Sequence, residues 1–547
     1  MKEEYKLYAT CPLNTEELLL AEINNLGGTM GKIVPSGVSF NGDLEVVYKV
    51  SLLSRIAGKL FLELKEFELT DQKDIYNEAK AIEWDTHFNL EDTFATSAAV
   101  VKSRIKNSKY ASLLVKDGIA DYFTEKYGSR PNVDPKRPSV KVHLHVSKNS
   151  ARLSLDLSGD SLHKRGYRKG NAQAALKENV AAALLYRAAW PEMAKENLNF
   201  VDPMCGSGTI LIEAAFIATN TPAGYYRFYY GFQGWKSHNI DLWDEIFDDA
   251  ESKIVEYSGV IRGFDIDSDA ISQATENVRE AGFSKLIHVE KSELSEFKVV
   301  ESMTHKTGLI CVNPPYGIRL GEVGELKKTY IELGELFLDL LPGWKLSVIS
   351  GNEELSKVIP LKIDRKNVLF NGAIKCRVSH FSLDSDKVKT IAPLSSGGEA
   401  FKNRLIKRRK HLGKWARRQD ISSYRVYDAD LPDYNVAIDI YEDKWVTVAE
   451  YQAPKDIEDH IVAKRLNEIL RVVPEVLDIE PERVFLKVRK RQKGVSQYSK
   501  SGNTKEFHII KESGAMFYVN FKDYLDTGIF LDHRPIRKRI NSESKDK

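Results

Sequence analysis

Asp202-Pro203-Met204-Cys205-Gly206-Ser207-Gly208-Thr209 follows the apolar run Leu198 to Val201 and leads into Ile210-Leu211-Ile212-Glu213-Ala214-Ala215. Strand, glycine turn and apolar helix together bring backbone N–H groups to a ligand at the carboxyl edge of a parallel sheet. Glycine at 206 and 208 keeps Cβ atoms out of that approach. Taken alone, the segment equally fits a tight turn with no ligand, so its surroundings decide.

Outward from this turn, residues Asn171 to about Ser385 alternate helical stretches with short strand-like runs. The runs are Leu198 to Val201, Val260 to Phe264, Leu286 to Val289, Leu309 to Val312 and Leu346 to Ile349. That alternation predicts an α/β unit with a mostly parallel sheet and crossover helices. The second strand ends in Gly263-Phe264-Asp265-Ile266-Asp267, which puts Asp265 where a carboxylate accepts ribose hydroxyls and Asp267 at a helix N-cap. The third is followed by Glu290-Lys291-Ser292-Glu293, an acid at the same edge for an adenine amine. Ile210 and Leu211 stand where a third glycine would complete a dinucleotide fingerprint, and no P-loop lysine is present. S-adenosylmethionine therefore fits better than NAD or ATP.

The fourth strand runs into Asn313-Pro314-Pro315-Tyr316-Gly317. Two prolines remove two backbone donors and stiffen the loop, leaving the Asn313 side chain and the Pro314 carbonyl as acceptors for an exocyclic amine. Tyr316 offers a ring on which a base stacks. A sulfonium is already a good leaving group, so positioning suffices and no general base is nominated. The bland reading is a rigid turn. Together with the glycine turn and the spaced acids, the loop predicts methyl transfer to a base amine, with Asn313, Pro314, Pro315 and Tyr316 as the chemical centre.

At 547 residues the chain exceeds what one core supports, so three or four domains are expected. Charged residues at 29% and hydrophobic ones at 42% are ordinary for globular proteins and argue against bulk disorder. No apolar run is long enough to span a bilayer and the first residues carry no secretory signal, so a soluble, cytoplasmic protein is expected. Cys11, Cys205, Cys311 and Cys376 are far apart and read as ordinary thiols, with no metal site expected. Before Asp160 the pattern reads as small α+β units, with strands at Leu44 to Val50, Val140 to Val146 and Ala151 to Leu157 and helices at Thr15 to Leu26 and Tyr110 to Tyr127. Between Asp160 and Asn171 the polar stretch Leu162-His163-Lys164-Arg165-Gly166-Tyr167-Arg168-Lys169-Gly170 reads as a connector with little to bury. Pro393-Leu394-Ser395-Ser396-Gly397-Gly398-Glu399 reads as a flexible linker.

These residues resemble a known family, the bifunctional ribosomal RNA large subunit methyltransferase K/L, in its L half. The resemblance rests on Leu162 to Arg168, Leu176-Lys177-Glu178-Asn179, Asp202 to Thr209 and Asn313 to Gly317, and covers nearly the whole chain. It implies a ferredoxin-like segment at 1–44, a THUMP RNA-binding domain at 45–158 and a Rossmann-like methyltransferase at 159–390. A linker at 391–400 then precedes a small α+β unit at 401–547. It further implies guanine-N2 methylation of 23S ribosomal RNA, with Asp202, Pro203, Cys205, Gly206, Ser207, Gly208, Asp265, Glu293 and Glu178 around the cofactor. Two residues depart from the family pattern: Glu293 stands for an aspartate and Ala175 for a proline.

Trp415 to Arg418, Tyr427 to Pro432, Arg491 to Gly494 and Asp523 to Gly528 resemble the opening of the K half, which in the family leads to an N7-methylguanine sheet. With the chain ending at Lys547, one cofactor site and no N7 activity are expected. That last unit is read as a basic helix, Phe401 to Arg418, then strand, strand, helix, strand, strand. The helix carries nine Lys and Arg residues and no acid, which favours a phosphate-facing role. Lys487, Arg489, Lys490, Arg491 and Lys493 form a second cluster. Tyr225-Tyr226-Arg227-Phe228-Tyr229-Tyr230-Gly231-Phe232 reads equally as a base-stacking surface or a lid packed on its own domain, and His163 and His533, isolated in sequence, as solvated or hydrogen-bonded histidines. Competing readings are a tRNA guanine-N2 or DNA adenine-N6 methyltransferase, or a non-catalytic RNA-binding assembly factor.

Overall fold

The computed structural model describes residues 3–168, 176–303, 306–315, 323–389, 394–451, 457, 459–489, 506–524 and 526–544. Tyr316, Gly317, Lys169, Gly170, Ala175, Pro393, Lys490 to Gly494 and Leu525, all singled out above, lie outside the described residues. The chain divides into two compact units, one of Met1–Tyr316 with Leu326–Lys389 and one of Thr390–Lys547 with Gly317–Glu325.

The first unit opens with β1 (Tyr5–Thr10), α1 (Glu16–Asn25), β2 (Thr29–Val34), β3 (Gly37–Gly42), α2 (Leu44–Leu53), β4 (Lys59–Glu68) and α3 (Gln72–Lys80). It continues through β5 (Phe94–Val101), α4 (Ser108–Tyr127), β6 (Val140–Ser147) and β7 (Ser150–Asp156). The strands form one sheet in the order β2-β3-β1-β4-β7-β6-β5. α2 corrects the strand expected at Leu44 to Val50. Asp43 caps the helix, its side chain accepting from the Val46 N–H at 3.1 Å, and this start signal outweighs the β-branched run behind it.

The unit continues with α5 (Glu178–Arg187), α6 (Trp190–Lys195), β8 (Asn199–Asp202), α7 (Thr209–Ala218), α8 (Ile240–Ser252), β9 (Ile261–Asp265), α9 (Ser268–Glu280) and β10 (Ile287–Lys291). Next come β11 (Gly308–Val312), α10 (Val323–Leu340), β12 (Lys345–Ser350), α11 (Glu353–Val358), β13 (Arg365–Asn371) and β14 (Ile374–Ser382). The sheet order is β10-β9-β8-β11-β12-β14-β13. β8 to β12 are mutually parallel, while β14 runs antiparallel to both β12 and β13. Every residue of β8 and of β11 is buried, as expected of central strands covered on both faces. α7 is apolar nearly all round and buried almost throughout, which is what a helix enclosed in a core requires. One apolar core runs without a break from the N-terminal sheet into the face covered by α5 and α7. A second fills the opposite face around Tyr330, Leu333 and Phe337 of α10.

The connector corrects its sequence reading most sharply. Leu162, Arg165 and Tyr167 are buried to within 2% of full burial. Arg165 holds Glu213 of α7 through Nε at 3.0 Å and Nη2 at 3.2 Å, and also donates to the Leu162 and Arg55 carbonyls. Such a polar segment hides because each of the three guanidinium nitrogens finds an acceptor within the fold. The Leu162 N–H donates to Gly58 and the Asn179 amide to Ile56, so the N-terminal sheet and the methyltransferase sheet are stitched through backbone groups.

The second unit comprises α12 (Ser396–Arg418), β15 (Ser423–Asp428), β16 (Val436–Tyr441), β17 (Trp445–Tyr451), α13 (Asp459–Leu477), β18 (Val484–Arg489), β19 (His508–Glu512), β20 (Ala515–Val519) and α14 (Arg534–Ser544). α12 starts inside the stretch read as a linker. Ser395 caps it by accepting from the Gly398 N–H at 3.1 Å, which offsets the two glycines of the first turn. Among the described residues the unit has three strands on each side of α13, one more than expected. The β16–β17 turn is made by Glu442 and Asp443, both at positive φ, and these residues do not announce a hairpin as Asn-Gly does. Lys487 does not join an exposed cationic cluster. It is buried, its ammonium donates to the Tyr524 carbonyl, and burial pulls its pKa down to about 8.

Candidate active site

Strand order reverses between β8 and β11. The chain winds from β8 through β9 to the β10 edge, then returns to place β11 on the other side of β8. A crevice opens at the carboxyl ends of two such strands, because their following loops diverge to opposite faces. The register pairs Ile310 with Val201 and Asp202 with Gly263, so the loops after β11, β8 and β9 end at one level. The structure thereby brings together Asn313-Pro314-Pro315, the 202–208 turn and Asp265. Asn313 is half-buried, Pro314 buried and Pro315 exposed.

Within the turn, Gly206 has φ +52° and Gly208 φ +81°, a region that side chains other than glycine enter at a cost. A Cβ on Gly206 would meet nothing within 4 Å, so backbone conformation, and not crowding inside the fold, demands glycine there. Asp265 fixes the turn: its two carboxylate oxygens accept from the Gly206 N–H at 2.8 Å and the Asp267 N–H at 3.0 Å. Each oxygen keeps a further lone pair for a ligand hydroxyl. Asp267 caps α9, accepting from the Asp269 N–H at 2.8 Å. Pro203 and Cys205 are buried, Ser207 is half-buried, and the Ser207 carbonyl accepts from the Asn277 amide at 2.8 Å. Glu293 lies exposed just beyond β10.

Asp202 is the group most displaced from its ordinary state. It is 1% exposed, its Oδ1 accepts from the Met204 N–H at 3.2 Å, and its Oδ2 has no partner. Burial, reinforced by the nearby Asp265 carboxylate, pushes its pKa well above the usual carboxylate range. The neighbouring Cys205 and Cys311 thiols are raised as well, by burial first and then by Asp202.

Glu178 opens α5 and is also buried. His163 Nδ1 lies 2.9 Å from one carboxylate oxygen and Arg168 Nη1 3.6 Å from the other, while Arg168 Nη2 donates to Thr209 Oγ1 at 2.5 Å. Although burial pushes the other way, the His163 hydrogen bond and the Arg168 guanidinium hold the Glu178 carboxyl below its usual range. His163, Arg168, Glu178 and Thr209 thus form a polar chain reaching the first residue of α7. Sequence reasoning missed Arg168, Thr209 and Asn277. Only Asn277 left a signal, as a polar residue on the buried face of α9 beside Ala274 and Val278.

The aromatic run resolves mostly into packing. Tyr230 and Phe232 are buried against Tyr48 and Trp243, and Tyr225 stacks on Phe247 at 5.5 Å. Phe228 alone is almost fully exposed. Four buried cysteines are free thiols, and no described helix is long and apolar enough to cross a membrane.

Family models agree with this geometry. A RMKL-like methyltransferase domain matches residues 165–380, a THUMP domain 70–156 and an RlmL ferredoxin-like domain 6–61. The crystal structure of SMU.472 complexed with SAH is similar, with TM-score 0.63 and 28% identity, over 70% of this chain and 99% of that one. A chain from Listeria monocytogenes, titled a predicted N6-adenine-specific DNA methylase, is similar with TM-score 0.62 and 28% identity over 69% of this chain and 96% of its own. Fold and site together define a Rossmann-like methyltransferase joined to a THUMP module.

The Syntrophotalea carbinolica ribosomal RNA large subunit methyltransferase K/L is 42% identical over 100% of this chain and 78% of its own length. The Methylococcus capsulatus protein of the same name is 39% identical over 99% of this chain and 76% of its own. The chain belongs to the ribosomal RNA large subunit methyltransferase K/L family.

Proposed function

We propose that the protein transfers the methyl group of S-adenosylmethionine to guanine N2 in 23S ribosomal RNA, at the crevice between β8 and β11. The observation that supports this reading is the adjacency of those strands, which opens the Asn313-Pro314-Pro315 loop and the glycine turn onto one crevice. The names of its relatives supply ribosomal RNA as the substrate class.

The residues present suit the cofactor. The turn carries two positive-φ glycines with open space beside Gly206, and an orphaned, buried Asp202 oxygen awaits a cationic partner. Asp265 would accept the ribose hydroxyls and Glu293 the adenine amine. Asp202, Pro203, Cys205, Gly206, Ser207 and Gly208 would line the methionine side, with Glu178 bracing the turn from below through Arg168 and Thr209. When bound, the cofactor supplies an electrophilic methyl group on a positively charged sulfur. The Asn313 amide oxygen and the Pro314 carbonyl accept hydrogen bonds from the two N–H groups of the guanine amine, turning its lone pair out of the base plane, and the one proton that the nitrogen loses on gaining the methyl group passes to water. Tyr316 supplies a stacking face for the extruded base.

Tritiated-methyl transfer to ribosomal RNA, transfer RNA and DNA in parallel, with mass spectrometry of the labelled nucleoside, tests the function. N2-methylguanosine in 23S rRNA is expected. Label in DNA alone, in transfer RNA alone, or in no substrate overturns it.

Asp202 yields a separate prediction. A folded pKa above the unfolded one means that stability falls as pH climbs from the ordinary carboxylate range toward the raised value. A cationic ligand favours the carboxylate, so cofactor binding is expected to release a proton, seen as buffer-dependent heat in calorimetry. Asp202→Asn should abolish that release and weaken binding roughly 10–100-fold, the scale of a lost charged hydrogen bond. Unchanged proton release in the variant would remove Asp202 from the cofactor site.

A further inference from the structure

The cations of α12 separate into two sets. Lys402 pairs with Glu475, Arg404 and Arg408 converge on Asp430, and Arg409 donates to the Leu477 carbonyl, so these four are spent inside the unit. Lys407, Lys410, Lys414, Arg417 and Arg418 are exposed, and none pairs with an acid among the described residues. Their three- and four-residue spacings put them on one stripe of the helix, opposite the buried Phe401, Leu405 and Ala416. From Lys407 to Arg418 the stripe extends roughly 16 Å, at about 1.5 Å per residue.

We propose that this stripe is a docking surface of the second unit for the phosphate backbone of folded RNA. The inference rests on the reading of ribosomal RNA as substrate but not on which base is methylated. A convex row of cations cannot converge on one small anion, whereas an extended polyanion meets each in turn. A membrane surface is disfavoured, because helices that lie on bilayers keep an apolar face free for the lipid, and here that face is spent in the core. An acidic protein is disfavoured because stable protein interfaces centre on a cluster of buried aromatic or aliphatic anchors, whereas the two exposed apolar side chains of this stretch, Ile406 and Trp415, stand on opposite edges of the stripe and form no common patch. Binding through the RNA backbone also explains why the helix needs charge and not a defined hydrogen-bond pattern.

The test uses the full chain carrying Lys407→Glu, Lys410→Glu, Lys414→Glu and Arg418→Glu together, with binding to a folded 23S rRNA fragment measured across a salt series. The logarithmic salt slope is expected to become shallower by about 3, since each phosphate that a cation neutralises adds roughly 0.7–0.9 to it. Affinity at low salt should fall at least about tenfold, with kcat at saturating RNA unchanged. An unaltered thermal melt by circular dichroism establishes that the fold survives; if it does not, the corresponding glutamine variant replaces it. Asn313→Ala should retain the full salt slope, which separates failure of this proposal from failure of the methylation reading. An unchanged slope in the charge variant overturns the proposal. So does lost binding to phosphatidylserine vesicles, or to an acidic polypeptide such as polyglutamate, with RNA binding intact.

Discussion

Replacing Asn313 by alanine is expected to lower kcat by at least about a hundredfold, the scale on which lost positioning of a reacting group is felt. Cofactor affinity should stay within about twofold, because the glycine turn, Asp202 and Asp265 are untouched. Single-turnover methyl transfer beside equilibrium binding of S-adenosylmethionine measures the two separately. Binding lost together with turnover would show that the residue shapes the cofactor pocket. Turnover retained would show that the amine is held elsewhere. Uniform weakening of RNA binding without a change in kcat would assign the loop to substrate capture alone.

Arg165→Ala should destabilise the first unit by about 3–5 kcal/mol, because it leaves the Glu213 carboxylate, 0% exposed, without its bidentate partner. Urea unfolding followed by tryptophan fluorescence measures it. The double variant Arg165→Met with Glu213→Leu is expected to recover most of the loss, since removing both charges also removes the desolvation cost. A single variant within about 1 kcal/mol of the parent would mean that water reaches Glu213. A double variant as unstable as the single would assign the effect to packing. Glu213 sits on α7 directly behind the glycine turn, so the single variant should also weaken cofactor binding before it unfolds the unit.

Much of the catalytic sheet was legible because central parallel strands write themselves as short apolar runs ending in polar turns. The boundaries of β8, β9, β10, β11 and β12 fall within a residue or two of the runs read from Leu198 to Ile349. Asp267 was legible as a cap because capping is local chemistry. Arg165 was not: in sequence it belongs to a basic, glycine-containing stretch, and its partner Glu213 lies 48 residues away on a helix that otherwise offers no charge. Long-range pairing of buried ions leaves no period to read. α2 failed for a related reason, since Val46-Val47-Tyr48 suits either state and only packing against the core decides. Glu178 entered only through the family resemblance, because its two polar partners, His163 and Arg168, come from the stretch read as a loose connector.

The residues of that buried connector donate to Gly58, Arg55 and Glu213 at once, so the module at the amino end and the catalytic edge of the sheet share one core and one set of backbone bonds. Two surfaces joined in that way act as a caliper with its jaws locked. Under the proposed function, an RNA gripped by the first would present to the second only those bases that lie at one fixed span from the grip. Selection of the target nucleotide would then become a matter of measured distance along a folded RNA, and the proposed crevice would need only to recognise an amine.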